Sequence, residues 1–121
     1  MDYEISISKS KKFIIVNYMV DLTRELGAKI AEETDAVSKK NNIHNLLNDL
    51  RNVKNFDDVK TNFDFVKEII PEQKELQFTK IAQLLSRNEH SHASVTAFLI
   101  ASGFNVREFL EEEKAIKWLE E

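Results

Sequence analysis

The sequence predicts an α/β fold built on a mostly parallel sheet, and three observations carry that reading. An apolar–polar alternation, EISIS at Glu4–Ser8, is followed after a polar turn by the β-branched and aromatic run Phe13–Tyr18. Segments of helical period then alternate with short strand-like segments to the end of the chain. With one Pro and two Gly, no linker or composition break divides residues 1–121, so a single domain is expected.

Taken in order, Ser8–Lys12 reads as the loop of an opening β-hairpin, with Lys9, Lys11 and Lys12 decorating the turn. From Leu22 to Lys40, the candidates Leu22, Leu26, Ile30, Thr34 and Val37 recur every three or four residues. Asp21 or Thr23 is available as N-cap, and Lys39 and Lys40 suit the negative end of the helix dipole. The pair Asn41-Asn42 ends this helix, and Asn45–Leu50 supplies a short strand. A second helix uses Val59, Phe63, Val66 and Ile70 and stops at Pro71, because the residue before a proline is pushed out of the helical region. Phe78–Leu85 is the next strand. Asn88–Ser102 then forms a helix with Val95, Phe98 and Leu99 on one stripe, and Gly103 stands just past its end. Asn105–Phe109 reads as the last strand and Glu112–Leu119 as a closing helix burying Ala115, Trp118 and Leu119. The total is roughly four or five strands and about four helices, with one antiparallel edge strand.

Composition narrows function by exclusion. A chain of 121 residues with 42% hydrophobic and 31% charged residues is ordinary for one compact domain. Its net charge of −4 provides no electrostatic footprint for nucleic acid or an anionic membrane. The absence of Cys removes disulfides, thiolate nucleophiles and Cys-ligated zinc, and fits a reducing, cytoplasmic setting. The apolar run Phe13–Val20 is too short for a membrane span. Neither G-x-G-x-x-G, a P-loop, G-x-S-x-G nor H-E-x-x-H occurs, so no cofactor and no catalytic set is expected.

The hairpin, the βα units and the ending GFNVREFLEEEKAIKWL together resemble the STAS and SpoIIAA-like superfamily, which includes bacterial anti-sigma-factor antagonists. The sharpest local match is the stretch after the Asn45–Leu50 strand. Asp49, Val53, Phe56 and Asp57 fit the family pattern, but Asp58, Val59 and Lys60 stand where the family has a phosphorylatable Ser, a small hydroxyl residue and Gly. A carboxylate accepts no phosphoryl group from a Ser/Thr kinase, so the phosphorylation switch does not carry over. A fixed Asp58 imitates a phosphorylated residue with about half the charge. The resemblance therefore implies a non-enzymatic interaction or regulatory domain whose partner is another protein, or a second copy in a homodimer. Phe56, Asp57, Asp58 and Lys60 are its contact candidates. The structural alternative is a helix entry in which Asn55 caps the first turn and Asp58 reaches back to it. The resemblance also implies helices gathered on one side of the sheet. That arrangement leaves Ile5, Ile7, Phe13 and Ile15, or the apolar face from Phe63 and Phe65, for an oligomer contact.

The competing reading is a small-molecule or anion site, enzymatic or not, at Arg87, Asn88, His90, Ser91 and His92, where a helix start offers backbone N–H groups. The pair His90-x-His92, with His44 or Glu89 as a third ligand, suggests a metal. Residues two apart on a helix do not share a face, however, and His92 falls on the apolar stripe ahead of Val95, so the expectation is no metal and one core histidine. Asp49 and Arg51 share a strand face and are expected to form a structural ion pair.

Overall fold

In the computed structural model, which describes residues 2–55, 58–69 and 78–121, the opening alternation forms β1 (Tyr3–Ile7) and the β-branched run forms β2 (Ile14–Tyr18). The two pair antiparallel with Ile5 opposite Val16. Ser8 closes the hairpin turn: its N–H donates to the Phe13 carbonyl at 3.0 Å and its Oγ accepts the Phe13 N–H at 3.3 Å. The chain then alternates α1 (Arg24–Asn41), β3 (Asn45–Asp49), α2 (Val59–Asp64), β4 (Lys80–Leu84), α3 (Ala93–Ala101), β5 (Val106–Phe109) and α4 (Glu112–Glu120). The sheet order is β1-β2-β3-β4-β5, with β2 to β5 parallel and β1 the antiparallel edge. This is the α/β fold with an opening hairpin that the alternation predicts.

Each crossover leads to the neighbouring strand in the same direction, and crossovers of constant hand keep their helices on one face. Accordingly Ile30 of α1, Val66 just beyond α2 and Leu99 of α3 share a core with Ile14, Val16, Leu46 and Ile81. The opposite face is not left bare, as the resemblance implied. There α4 lays Ala115, Trp118 and Leu119 onto Phe13, Leu47, Ala82 and Leu84. Phe13 is only 2% exposed, while Ile5 and Ile15 pack against the two cores. Of the four hairpin residues named for an oligomer contact, Ile7 is the one left open, at 39%.

Several boundaries shift for local reasons. Thr23, not Asp21, caps α1, accepting the Leu26 N–H at 3.4 Å, and Asn42 ends that helix in the left-handed region at φ 52. The second helix is capped by Asp58 rather than Asn55, and it continues into a π-helical stretch, Phe65–Ile69. The predicted stop at Ile70 and Pro71 lies outside the described residues. α3 begins at Ala93, later than the predicted Asn88, because the Glu89 N–H bonds back to Ser86 and the Ala93 N–H to His90, turning the chain before the helix starts. At its other end Gly103, with φ 98, completes a Schellman cap: its N–H reaches the Ile100 carbonyl at 3.0 Å and the Phe104 N–H reaches Leu99 at 3.1 Å. Among the described residues, no helix is long and apolar enough to cross a membrane.

Candidate functional site

Three βα loops meet at the C-terminal edge of the parallel strands, the edge at which open α/β sheets present their ligand and partner sites. Backbone and side-chain bonds tie them together. Asp21, after β2, accepts the Lys54 N–H at 2.7 Å, and the Leu22 N–H donates to the Lys54 carbonyl at 2.7 Å. The Asn55 N–H donates to Ser91 Oγ at 2.9 Å, joining the loop after β3 to the loop after β4. Asn55 Nδ2 then donates to Asn62 Oδ1 at 3.0 Å, and Asn62 Nδ2 to Ser94 Oγ at 2.7 Å. Asn55 is thus occupied as a cross-loop link, which is why it does not cap α2 as predicted. Arg51 grips Asp49 through Nε at 3.0 Å and Nη2 at 2.8 Å, the structural ion pair expected from strand alternation. That bidentate carboxylate holds the guanidinium pKa above its ordinary value.

At the start of α2, Asp58 Oδ1 accepts the Thr61 N–H at 2.7 Å. This backbone bond, joined by the Thr61 hydroxyl and by the charge of Lys60, holds the exposed Asp58 carboxyl below its ordinary range. The predicted reach of Asp58 back to Asn55 is therefore replaced by an ordinary N-cap bond running forward. Lys60 is exposed. One turn on, Phe63 is 40% exposed, stands edge-on to Phe98 with ring centroids 5.3 Å apart, and carries Lys67 Nζ 5.1 Å above its ring. Phe65, named with it in the sequence, instead packs partly buried against the core. Phe56 and Asp57 lie outside the described residues.

The second predicted cluster is divided. Arg87, Asn88 and His90 are exposed, Ser91 is half-buried, and His92 is 2% exposed. His92 is the core histidine that its place on the apolar stripe predicts: its Nε2–H donates to the Val53 carbonyl at 3.0 Å. The Ser91 N–H donates to the carboxylate of Glu89 at 2.8 Å, which keeps that carboxyl below its ordinary range. A helix start expected to receive an external anion thus already holds an internal one. His44, the proposed third metal ligand, precedes β3 at the far end of the sheet and pairs with Asn42 Oδ1 at 2.9 Å. Among the described residues, no three His, Cys, Asp or Glu side chains gather as a metal site.

Behind the loops, between the sheet and its three crossover helices, lies a cavity of about 120 Å³. Its walls are largely apolar, with Ile30, Leu46, Phe65, Ile81, Leu99 and Phe104 among them. A polar track crosses one wall near the strand ends. The Tyr18 hydroxyl donates to Asn48 Oδ1 at 3.3 Å, and Asn48 Nδ2 donates to Gln83 Oε1 at 2.7 Å. Asn48 and Gln83 sit directly opposite each other on β3 and β4. Burial pushes the Tyr18 phenol above its ordinary pKa, so it remains a proton donor. These three residues were missed in the sequence, although a signal was there. In Ile14-x-Val16-x-Tyr18, Leu46-x-Asn48 and Ile81-x-Gln83, strand alternation sends a polar side chain to the same face as the preceding aliphatic ones.

No family model matches the sequence, and no curated protein matches it. Among solved structures, the chain is similar to the crystal structure of an uncharacterised protein of the DUF3478 family with a SpoIIAA-like fold, from Shewanella loihica PV-4. The likeness covers 97% of this chain and 91% of that one, with a TM-score of 0.63 and 14% identity. It establishes the fold as SpoIIAA-like, in agreement with the layout read from the hairpin and the βα units.

Proposed function

We propose that this SpoIIAA-like domain is a non-enzymatic binding module that contacts another protein through the start of α2. The observation that supports this reading is the exposed carboxylate of Asp58 at the helix N-cap, held below its ordinary pKa range, with exposed Lys60 and half-exposed Phe63 on the same short helix. In the superfamily that the sequence resembles, the aligned position carries charge only after phosphorylation. Here the charge is built in. A partner of matching chemistry presents a cation to Asp58 and an apolar recess to Phe63.

Asp58→Asn separates recognition from folding, because Asn caps a helix as well as Asp while removing the charge. With a photo-crosslinking residue at position 60 in lysate of the native organism, the expected result is a discrete adduct. Its yield falls about three- to fivefold in Asp58→Asn and about tenfold or more in Phe63→Ser. An adduct pattern unchanged in both variants removes this surface from the reading. Self-association is the other occupant of the same chemistry, and light scattering across micromolar concentrations distinguishes a homodimer from a monomer that waits for a different protein.

A further inference from the structure

We infer that the cavity between the sheet and its crossover helices is a binding site for a compact, neutral, largely apolar molecule carrying one acceptor oxygen, which Gln83 receives. The size comes first. About 120 Å³ approaches the ~150 Å³ of an engineered apolar cavity that accepts a single benzene ring. A ring of five or six atoms fits this space, and a nucleotide or a long chain does not.

The polarity of the walls then sets the chemistry. In the track across the strands every donor points the same way: Tyr18 hydroxyl to Asn48 Oδ1, and Asn48 Nδ2 to Gln83 Oε1. The track therefore ends on Gln83 Nε2, which donates to nothing among the described residues although Gln83 is only 3% exposed and lines the cavity. That amide faces cavity space that water reaches, and an acceptor oxygen delivered there takes the place of water on it. Charge is disfavoured in the ligand. Arg24, the arginine of the lining, is already paired with Glu68 at 2.8 Å, and His92 Nε2 is bound to the Val53 carbonyl. The apolar remainder of the wall supplies the affinity and the track supplies the orientation, which is the usual division of labour in small-molecule pockets.

The test is an NMR titration of the whole chain with two rings of equal size, cyclopentanone and cyclopentane. Cyclopentanone is expected to shift the Gln83 side-chain amide and the methyl groups of Ile30, Leu46 and Leu99 saturably. It should bind about tenfold more tightly than cyclopentane, the difference that one buried hydrogen bond produces. Gln83→Met should erase that tenfold preference. Ala31→Leu, which grows into the cavity from α1 and leaves the polar track intact, should abolish binding of both rings. The inference is overturned if neither ring shifts these resonances at millimolar concentration, leaving the space to ordered water. It is equally overturned if the two rings bind alike in the unmodified protein, or if Ala31→Leu binds them unchanged. Should Gln83→Met fail to fold, the comparison of the two rings and the Ala31→Leu variant still decide the matter.

Discussion

Asp58 meets two demands with one carboxylate. Its Oδ1 takes the Thr61 N–H at 2.7 Å and so satisfies one of the donors that every helix start leaves open. The same bond holds its folded pKa below the unfolded value. A group of that kind contributes stability in full above the ordinary carboxylate pKa of ~3.9 and loses it as the pH falls through the lower folded value. Replacement by Ala removes cap and charge together, and at pH 7 should lower the melting temperature by about 2–6 °C. Asp58→Asn should stay near the unmodified protein at pH 7 and lose less stability than it does between about pH 5 and pH 2, because an amide cap does not titrate. Thermal unfolding followed by circular dichroism across that range checks both outcomes. An Ala variant as stable as the unmodified protein at pH 7 shows that the cap is dispensable, and leaves partner contact as the residue's role.

At the scale of elements, what was legible in the sequence was what local chemistry dictates. The close of α3 is the clearest case. Gly103 adopts φ 98 with open space around it, so a Cβ meets no neighbour and backbone strain alone opposes a side chain. Gly103→Ala should destabilise the fold by about 1–2 kcal/mol, measured by urea denaturation, whereas a loss below a few tenths means that the Schellman turn relaxes without cost. The second helix start was misassigned because Asn55 and Asp58 are equally good caps in isolation. Tertiary structure chose between them by engaging the Asn55 N–H with Ser91 from the next βα loop, 36 residues away. The cavity wall was legible only in part, as a shared face, for a related reason. A polar residue at the end of a short strand reads as an approach to a loop, and only pairing across β2, β3 and β4 turns Tyr18, Asn48 and Gln83 into one track. His92 lay between these cases: its place on the apolar stripe was readable, but its partner, the Val53 carbonyl, was not.

For the whole molecule, the decisive feature is that one sheet carries two unequal cores. Three crossover helices cover one face, and α4 closes the other. The smaller core depends on a few side chains. Leu119 is fully buried, Ala115 likewise, and Trp118 lies beside Phe109 with ring centroids 5.6 Å apart. Lys80 and Arg107 approach the indole to 5.4 and 5.2 Å, and Lys80 Nζ also donates to the Trp118 carbonyl at 2.7 Å, so the helix end is held to β4 by charge as well as by packing. Leu119→Ala leaves a void against a sheet that cannot collapse to fill it, and should cost about 2–5 kcal/mol. The consequence is asymmetric. The cavity lies on the other face, so if α4 detaches as a unit, the chain's single tryptophan should redden in fluorescence at lower urea concentrations than the helical signal is lost. Coincident transitions by the two probes would instead show that the two cores unfold as one cooperative body, and that α4 is as integral to the site-bearing face as the crossover helices themselves.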